Sequence, residues 1–162
     1  MPQINTFLTF NNQAEEAARF YTSIFPNSMI TRITHFPDLG AQAPFKPGSV
    51  MTVEFTLDGR PFTALNGGGG PQFAFTQGIS IAVLCDTQQQ VDEYWNKFVA
   101  AGGTPVACGW ITDHFGVSWQ IDPKLLIDMI ADPDPAKAAK AMQAMMTMVK
   151  IDSEQLMRAV AK

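Results

Sequence analysis

One strand–cap–helix pattern occurs twice in this chain, and that repetition limits the possible folds more than any other feature. Ile4-Asn5-Thr6-Phe7-Leu8-Thr9-Phe10 runs into polar Asn11-Asn12 and then an amphipathic stretch carrying Ala17, Phe20, Tyr21, Ile24 and Phe25. Ile79-Ser80-Ile81-Ala82-Val83-Leu84 runs into Cys85-Asp86-Thr87 and a stretch carrying Val91, Tyr94, Trp95, Phe98 and Val99. An offset of 74 residues relates Thr6 to Ser80, Ala17 to Val91, Phe20 to Tyr94, Tyr21 to Trp95 and Ile24 to Phe98. A repeated unit predicts two similar halves, and a ligand site between them would have walls at equivalent positions.

The rest of the chain extends the pattern. Asn12 with Glu15 reads as a capping box for the first helix, which Pro26 ends. Residues 28–36 read as a strand, 37–47 as a Pro/Gly/Ala loop, and 50–57 as an alternating, half-buried strand. Asp58-Gly59 is a hairpin signal, and 61–66 returns beside the preceding strand. Gly67-Gly68-Gly69-Gly70 precedes Pro71 and another strand rather than a helix, so it reads as a linker and not a phosphate cradle. In the second half Thr87 with Gln90 is a capping box, and Gly102-Gly103 closes the helix. Residues 105–112 and 115–122 read as a hairpin about Asp113-His114. Beyond Pro123 come helical stretches, one with Met142, Met145, Met146 and Val149 on one face, where packing is the expected role. The order is βαβββ, βαβββ and a helical tail, which predicts an α+β protein. The boundaries are a first module over 1–70, a second over 71–123, and the tail over 124–162.

Bulk properties narrow the function classes. The 162 residues are 46% hydrophobic, enough for a sizeable core. Net charge is −4 with no Lys/Arg run, which argues against nucleic acid. Cys85 and Cys108 fit no CxxC spacing and read as reduced thiols, although one bridge between them is also compatible with the sequence. No apolar stretch is long enough to cross a bilayer, and no basic segment leads into an apolar one at the start, so the expected location is cytoplasmic, with no membrane partner.

The wording resembles the PhnB-like branch of the vicinal oxygen chelate superfamily, a branch labelled 3-demethylubiquinone-9 3-methyltransferase. The match is carried by Phe10-Asn11-Asn12-Gln13-Ala14-Glu15-Glu16-Ala17 with Phe20-Tyr21, by Ala64-Leu65-Asn66-Gly67-Gly68, and by Cys85-Asp86-Thr87-Gln88 with Val91-Asp92 and Tyr94-Trp95. It continues through Cys108-Gly109-Trp110, Phe115-Gly116-Val117-Ser118-Trp119-Gln120-Ile121-Asp122-Pro123 and Asp132-Pro133-Asp134-Pro135. The resemblance implies the glyoxalase/bleomycin resistance/dihydroxybiphenyl dioxygenase fold, with a cup-shaped sheet in each module facing its twin in the same chain or in a second subunit. It also implies a homodimer and, in catalytic relatives, a divalent metal held by His or Glu on the first and last strands of each module.

Matching those positions puts Thr6 and Ser80 at the histidine-type sites and Thr63 and Gln120 at the carboxylate-type sites. All four are neutral oxygen carriers and poor ligands for Zn²⁺, Ni²⁺ or Fe²⁺. The expectation is therefore no metal, no cofactor, and a small molecule hydrogen-bonded by Thr6, Thr63, Ser80 and Gln120. Trp110 and Trp119 either line the same cup or fill the space under a helix, since strand periodicity does not choose the face. Cys108 and Asp113 are the candidates for catalysis if the chain is an enzyme. His35 and His114 read as solvated. The alternatives are a superfamily enzyme (isomerase, lyase, dioxygenase, or the methyltransferase of the label) and a non-catalytic structural or regulatory dimer.

Overall fold

The apolar alternation of each repeat is realised as a four-stranded mixed sheet with one helix against one face. A computed structural model describes residue 2 and residues 4–161. The chain separates into two compact units, Met1–Ala74 and Phe75–Lys162.

The first unit contains β1 (Thr6–Phe10), α1 (Ala14–Ile24), β2 (Met29–His35), β3 (Val50–Leu57) and β4 (Arg60–Asn66). Its sheet order is β1-β4-β3-β2, with β1 parallel to β4 and the other pairs antiparallel. α1 buries Ala14, Ala17, Ala18, Tyr21 and Ile24 on one stripe. That stripe meets Val53, Phe55 and Leu57, the inward set of β3. Small residues at 14, 17 and 18 let the helix approach the sheet closely enough for Tyr21 to reach Phe55, with ring centroids 6.3 Å apart. The helix ends because Phe25, preceding Pro26, is extended at φ −103°, ψ 137°. Asp58 and Gly59, both at positive φ (46° and 73°), make the two-residue turn between β3 and β4.

The start of α1 differs from the capping box expected at Asn12. Gln13 is the N-cap and makes no side-chain cap bond. Asn66, at the end of β4, reaches across instead and accepts from the Ala14 amide at 2.9 Å. A distant strand residue thus does the local job of a cap, which no short sequence window contains.

The second unit repeats the plan with β5 (Ile81–Cys85), α2 (Gln88–Ala100), β6 (Thr104–Pro105), β7 (Trp110–Thr112) and β8 (Ser118–Pro123), ordered β5-β8-β7-β6. Here the expected cap is present: Thr87 accepts from the Gln90 amide, and Gln90 Oε1 in turn accepts from the Asp86 amide. Residues 105–112 are not one strand. β6 turns back on β7, pairing Thr104 with Thr112 and Pro105 with Ile111. The turn between them holds Cys108 at φ 58° and Gly109 at φ 82°.

Three helices complete this unit: α3 (Lys124–Ile130), α4 (Pro135–Met145) and α5 (Ser153–Ala161). They share a small core of Leu126, Met148, Ile151 and Leu156. The Met-rich face is only partly used for packing, because Met145 joins that core while Met142, Met146 and Val149 stay exposed. Two tandem βαβββ modules with a C-terminal helical tail are therefore present, as the sequence predicts. Among the described residues no helix is long and apolar enough to cross a membrane.

Candidate functional site: uncharged pairs on the helix-free faces

Register and burial assign the two faces of each sheet. In the first unit Phe62 and Ala64 of β4 are buried with Val53 and Phe55 on the side of α1. Thr63, opposite Glu54 and Phe7 in the ladders, lies on the other side. There Asn5 donates through Nδ2 to Thr63 Oγ1 at 2.8 Å. In the second unit Trp119 and Ile121 face α2, so Gln120, opposite Trp110 and Ala82, lies on the helix-free side. There Gln120 donates through Nε2 to Ser80 Oγ at 2.7 Å. The two units thus carry equivalent amide–hydroxyl pairs.

This equivalence corrects the placement of Thr6. Thr6 pairs with Phe62 as Ile81 pairs with Trp119, so the strands are related by an offset of 75 and Thr6 corresponds to Ile81. The helices keep the offset of 74 that relates Tyr21 to Trp95. The difference arises because Asn11, Asn12 and Gln13 separate β1 from α1, whereas only Asp86 and Thr87 separate β5 from α2. Because side chains alternate, one residue moves Thr6 to the α1 side with Leu8 and Phe10. Asn5 takes its place beside Thr63.

The tryptophans divide between the faces. Trp110 is half-buried and shares the helix-free side with Gln120. Trp119 is 1% exposed, packs on Phe98 of α2 at 4.9 Å and belongs to the core rather than to a ligand surface. Its indole Nε1 donates to Asp113 Oδ2 at 2.9 Å, while Asp113 Oδ1 accepts from the amides of Phe115 and Val117, each at 2.9 Å. Asp113 is buried and holds the β7–β8 loop together, an architectural task that leaves its carboxylate no open approach for acid–base chemistry. Cys108 lies in the β6–β7 turn rather than on a strand, and its amide donates to the Met148 carbonyl at 2.8 Å. His35 is exposed at the end of β2, and exposed His114 lies against the Phe115 ring.

In each unit the pair, Asn5 with Thr63 or Ser80 with Gln120, supplies amide and hydroxyl groups without charge or strong basicity, a chemistry that does not suit a catalytic transition metal. Glu54, beside Thr63, is the nearest carboxylate in register, and it is bonded to Arg32. Among the described residues no group of three or more His, Cys, Asp or Glu side chains is placed to hold a metal ion.

Two features escaped sequence reasoning. Asp122, at the end of β8, is 5% exposed, and its Oδ1 has no hydrogen-bond partner. Burial pushes its carboxyl up to about 6. The nearby Cys85 thiol is pushed up to about 11, by burial first and then by Asp122 and Asp86. In sequence Asp122-Pro123 reads only as a strand end. The second feature is a cavity of about 620 Å³ in the first unit, at the start of α1. Its walls include Asn11, Asn12, Lys46 and the stacked Phe36 and Phe45 rings, 4.0 Å apart. Residues 37–47 read as a featureless loop, so no periodicity marks this wall.

Comparison with known proteins bears on the same residues. The sequence model of the 3-demethylubiquinone-9 3-methyltransferase family matches residues 2–122. The solved structure of the PhnB protein from Bacillus cereus is 35% identical, with a TM-score of 0.66, and the alignment covers 75% of this chain and 99% of that one. Protein PA1353 from Pseudomonas aeruginosa is 22% identical, with a TM-score of 0.61 and coverage of 76% and 98%; it shares the fold. No curated protein matches the chain.

Proposed function

The chain belongs to the 3-demethylubiquinone-9 3-methyltransferase family, the PhnB-like branch of the vicinal oxygen chelate superfamily, and from that premise we propose that it binds an uncharged polar small molecule without a catalytic metal. The observation that carries the reading is the pair of equivalent amide–hydroxyl contacts, Asn5–Thr63 and Ser80–Gln120, where catalytic relatives are expected to place metal ligands. Each contact uses one donor and one acceptor and leaves the carboxamide oxygen and a second amide proton of Asn5 or Gln120 for a ligand, while Thr63, which is buried, holds Asn5 in place. Phe7 beside Thr63 in the first unit, and Trp110 beside Gln120 in the second, add aromatic surface to the helix-free face of each sheet.

Methyl transfer draws no support from the Gly-rich run. Gly67–Gly70 leads into a single turn of 3₁₀-helix, Pro71–Phe73, and opens no α-helix that would hold a phosphorylated or sulfonium cofactor. A homodimer belongs to the same reading: exposed Phe7, Ile79 and Leu84 give the sheets apolar surface that a second copy would cover.

The test is calorimetric titration of chelator-treated protein with uncharged heteroaromatic amides selected by a fragment screen. Binding should survive chelation and fall roughly tenfold in Gln120→Ala, the loss of one or two hydrogen bonds. Binding that appears only when a divalent metal is restored overturns the proposal. A second site for the ligand is favoured by the cavity beside Phe36 and Phe45, whose volume suits a small molecule. Loss of binding in Phe45→Ala with Gln120→Ala unaffected would move the ligand there.

A further inference from the structure

Asp122 presents an unusual combination: a buried carboxyl, an oxygen without a partner, and a chain segment laid over it. Gly109 is the contact point. A Cβ at this position would lie 2.4 Å from Asp122 Oδ1 and 3.0 Å from Ile151 Cγ1, so carboxyl, turn and tail converge at one point. The tail is fastened there by two backbone bonds, from the Cys108 amide to the Met148 carbonyl and from the Gly109 amide to the Val149 carbonyl, each 2.8 Å. Met148 and Ile151 belong to the apolar core of the C-terminal helices.

We propose that Asp122 is a proton-operated latch for the C-terminal segment: the neutral carboxyl accepts the Met148–Ile151 strap over the Cys108–Gly109 turn, and the ionised carboxylate weakens that docking. An ionised carboxylate buried at this junction loses water and gains no donor for Oδ1 in return, whereas an opened strap lets water reach it. The other titratable groups around it do not supply the missing donor. The Cys85 thiol on β5 stays neutral, Asp86 at the end of β5 is paired with Lys124 of α3, and Lys150 of the strap is bonded to Asp92 of α2.

The sign follows from linkage. A carboxyl raised from 3.8 to about 6 in the docked state favours docking fully below about pH 4 and loses that contribution as pH rises through 6. With the opened strap titrating normally, the docking constant should fall roughly fiftyfold between pH 4 and pH 7.

The experiment is amide hydrogen exchange by NMR on the full chain at pH 4.5 and 7.5, corrected for intrinsic rates. The proposal expects protection of the Cys108 and Gly109 amides to fall by an order of magnitude or more over this range while amides of β5 and β8 hold theirs. Asp122→Asn should remove the pH dependence, and Asp122→Ser serves if the Asn variant does not fold. A carboxyl-carbon titration of Asp122 in the unmodified chain gives an independent reading. A midpoint below 5 overturns the proposal. So does equal protection at both pH values, or a fall at Cys108 and Gly109 that merely parallels β5 and β8.

Discussion

Replacing Asp113 with Ala should be among the most damaging single changes in the second module, and its cost can be built up bond by bond. The Asp113 side chain is 4% exposed and accepts three hydrogen bonds, two from the amides of Phe115 and Val117 and one from Trp119 Nε1. A buried donor deprived of its acceptor costs about 1–3 kcal/mol. The two amides belong to a loop that water can enter after truncation, so each is assigned about 1 kcal/mol, whereas the indole N–H is enclosed against Phe98 and is assigned about 2. The sum is about 4 kcal/mol, a large part of the 5–15 kcal/mol that typically holds a domain together.

The assay is urea unfolding followed by circular dichroism, with ΔΔG taken at unchanged m-value. A double-mutant cycle then isolates the indole. In a Trp119→Phe background the donor is gone, and Asp113→Ala should cost only about 2 kcal/mol, the share of the two amides. A cost below about 1 kcal/mol in the parent chain, or the same cost in both backgrounds, would refute the view that this carboxylate organises the loop.

Other perturbations test separate parts of the structure. Gly109→Ala meets both a left-handed backbone (φ 82°) and the Asp122 oxygen, so it should destabilise by at least about 2 kcal/mol in the same unfolding assay. Asn5→Ala should weaken ligand binding while Thr6→Val leaves it unchanged, since only Asn5 lies on the helix-free face; calorimetry on the two variants decides between the offsets of 75 and 74. The hydrogen bonds from Lys150, and next from Gln88, hold the Asp92 carboxyl below its ordinary value, so this contact contributes above pH 4 and is lost as pH falls. Because both partners are substantially exposed, Lys150→Ala should cost no more than about 1 kcal/mol at pH 7, and the cost should shrink steadily as the pH is lowered below 4.

The architecture was legible because it depends on periodicity, which sequence shows directly. Alternation at 50–57 and the helical spacing of Ala17, Tyr21 and Ile24 marked elements that the structure contains. Thr87 capped as expected because its partner lies three residues away. Asn12 failed as a cap because Asn66, distant in sequence, reaches the same amide. The register at the first strand was not legible: the position beside Thr63 passes from Thr6 to Asn5 because one extra residue separates β1 from α1. Trp119 was ambiguous for a similar reason, since alternation gives two faces without saying which one the helix covers. Asp122 was invisible because its character comes from what the turn at Gly109 and the tail at Ile151 do around it.

The most direct test of the neutral-oxygen site is an NMR titration of the side-chain amides of Asn5 and Gln120 in chelator-treated protein, first with Zn²⁺ and Ni²⁺, then with an uncharged heteroaromatic amide. The account predicts that the metals leave both resonances in place and the amide ligand shifts them saturably. A stoichiometric, saturable shift on adding metal, with no response to the organic ligand, would contradict it.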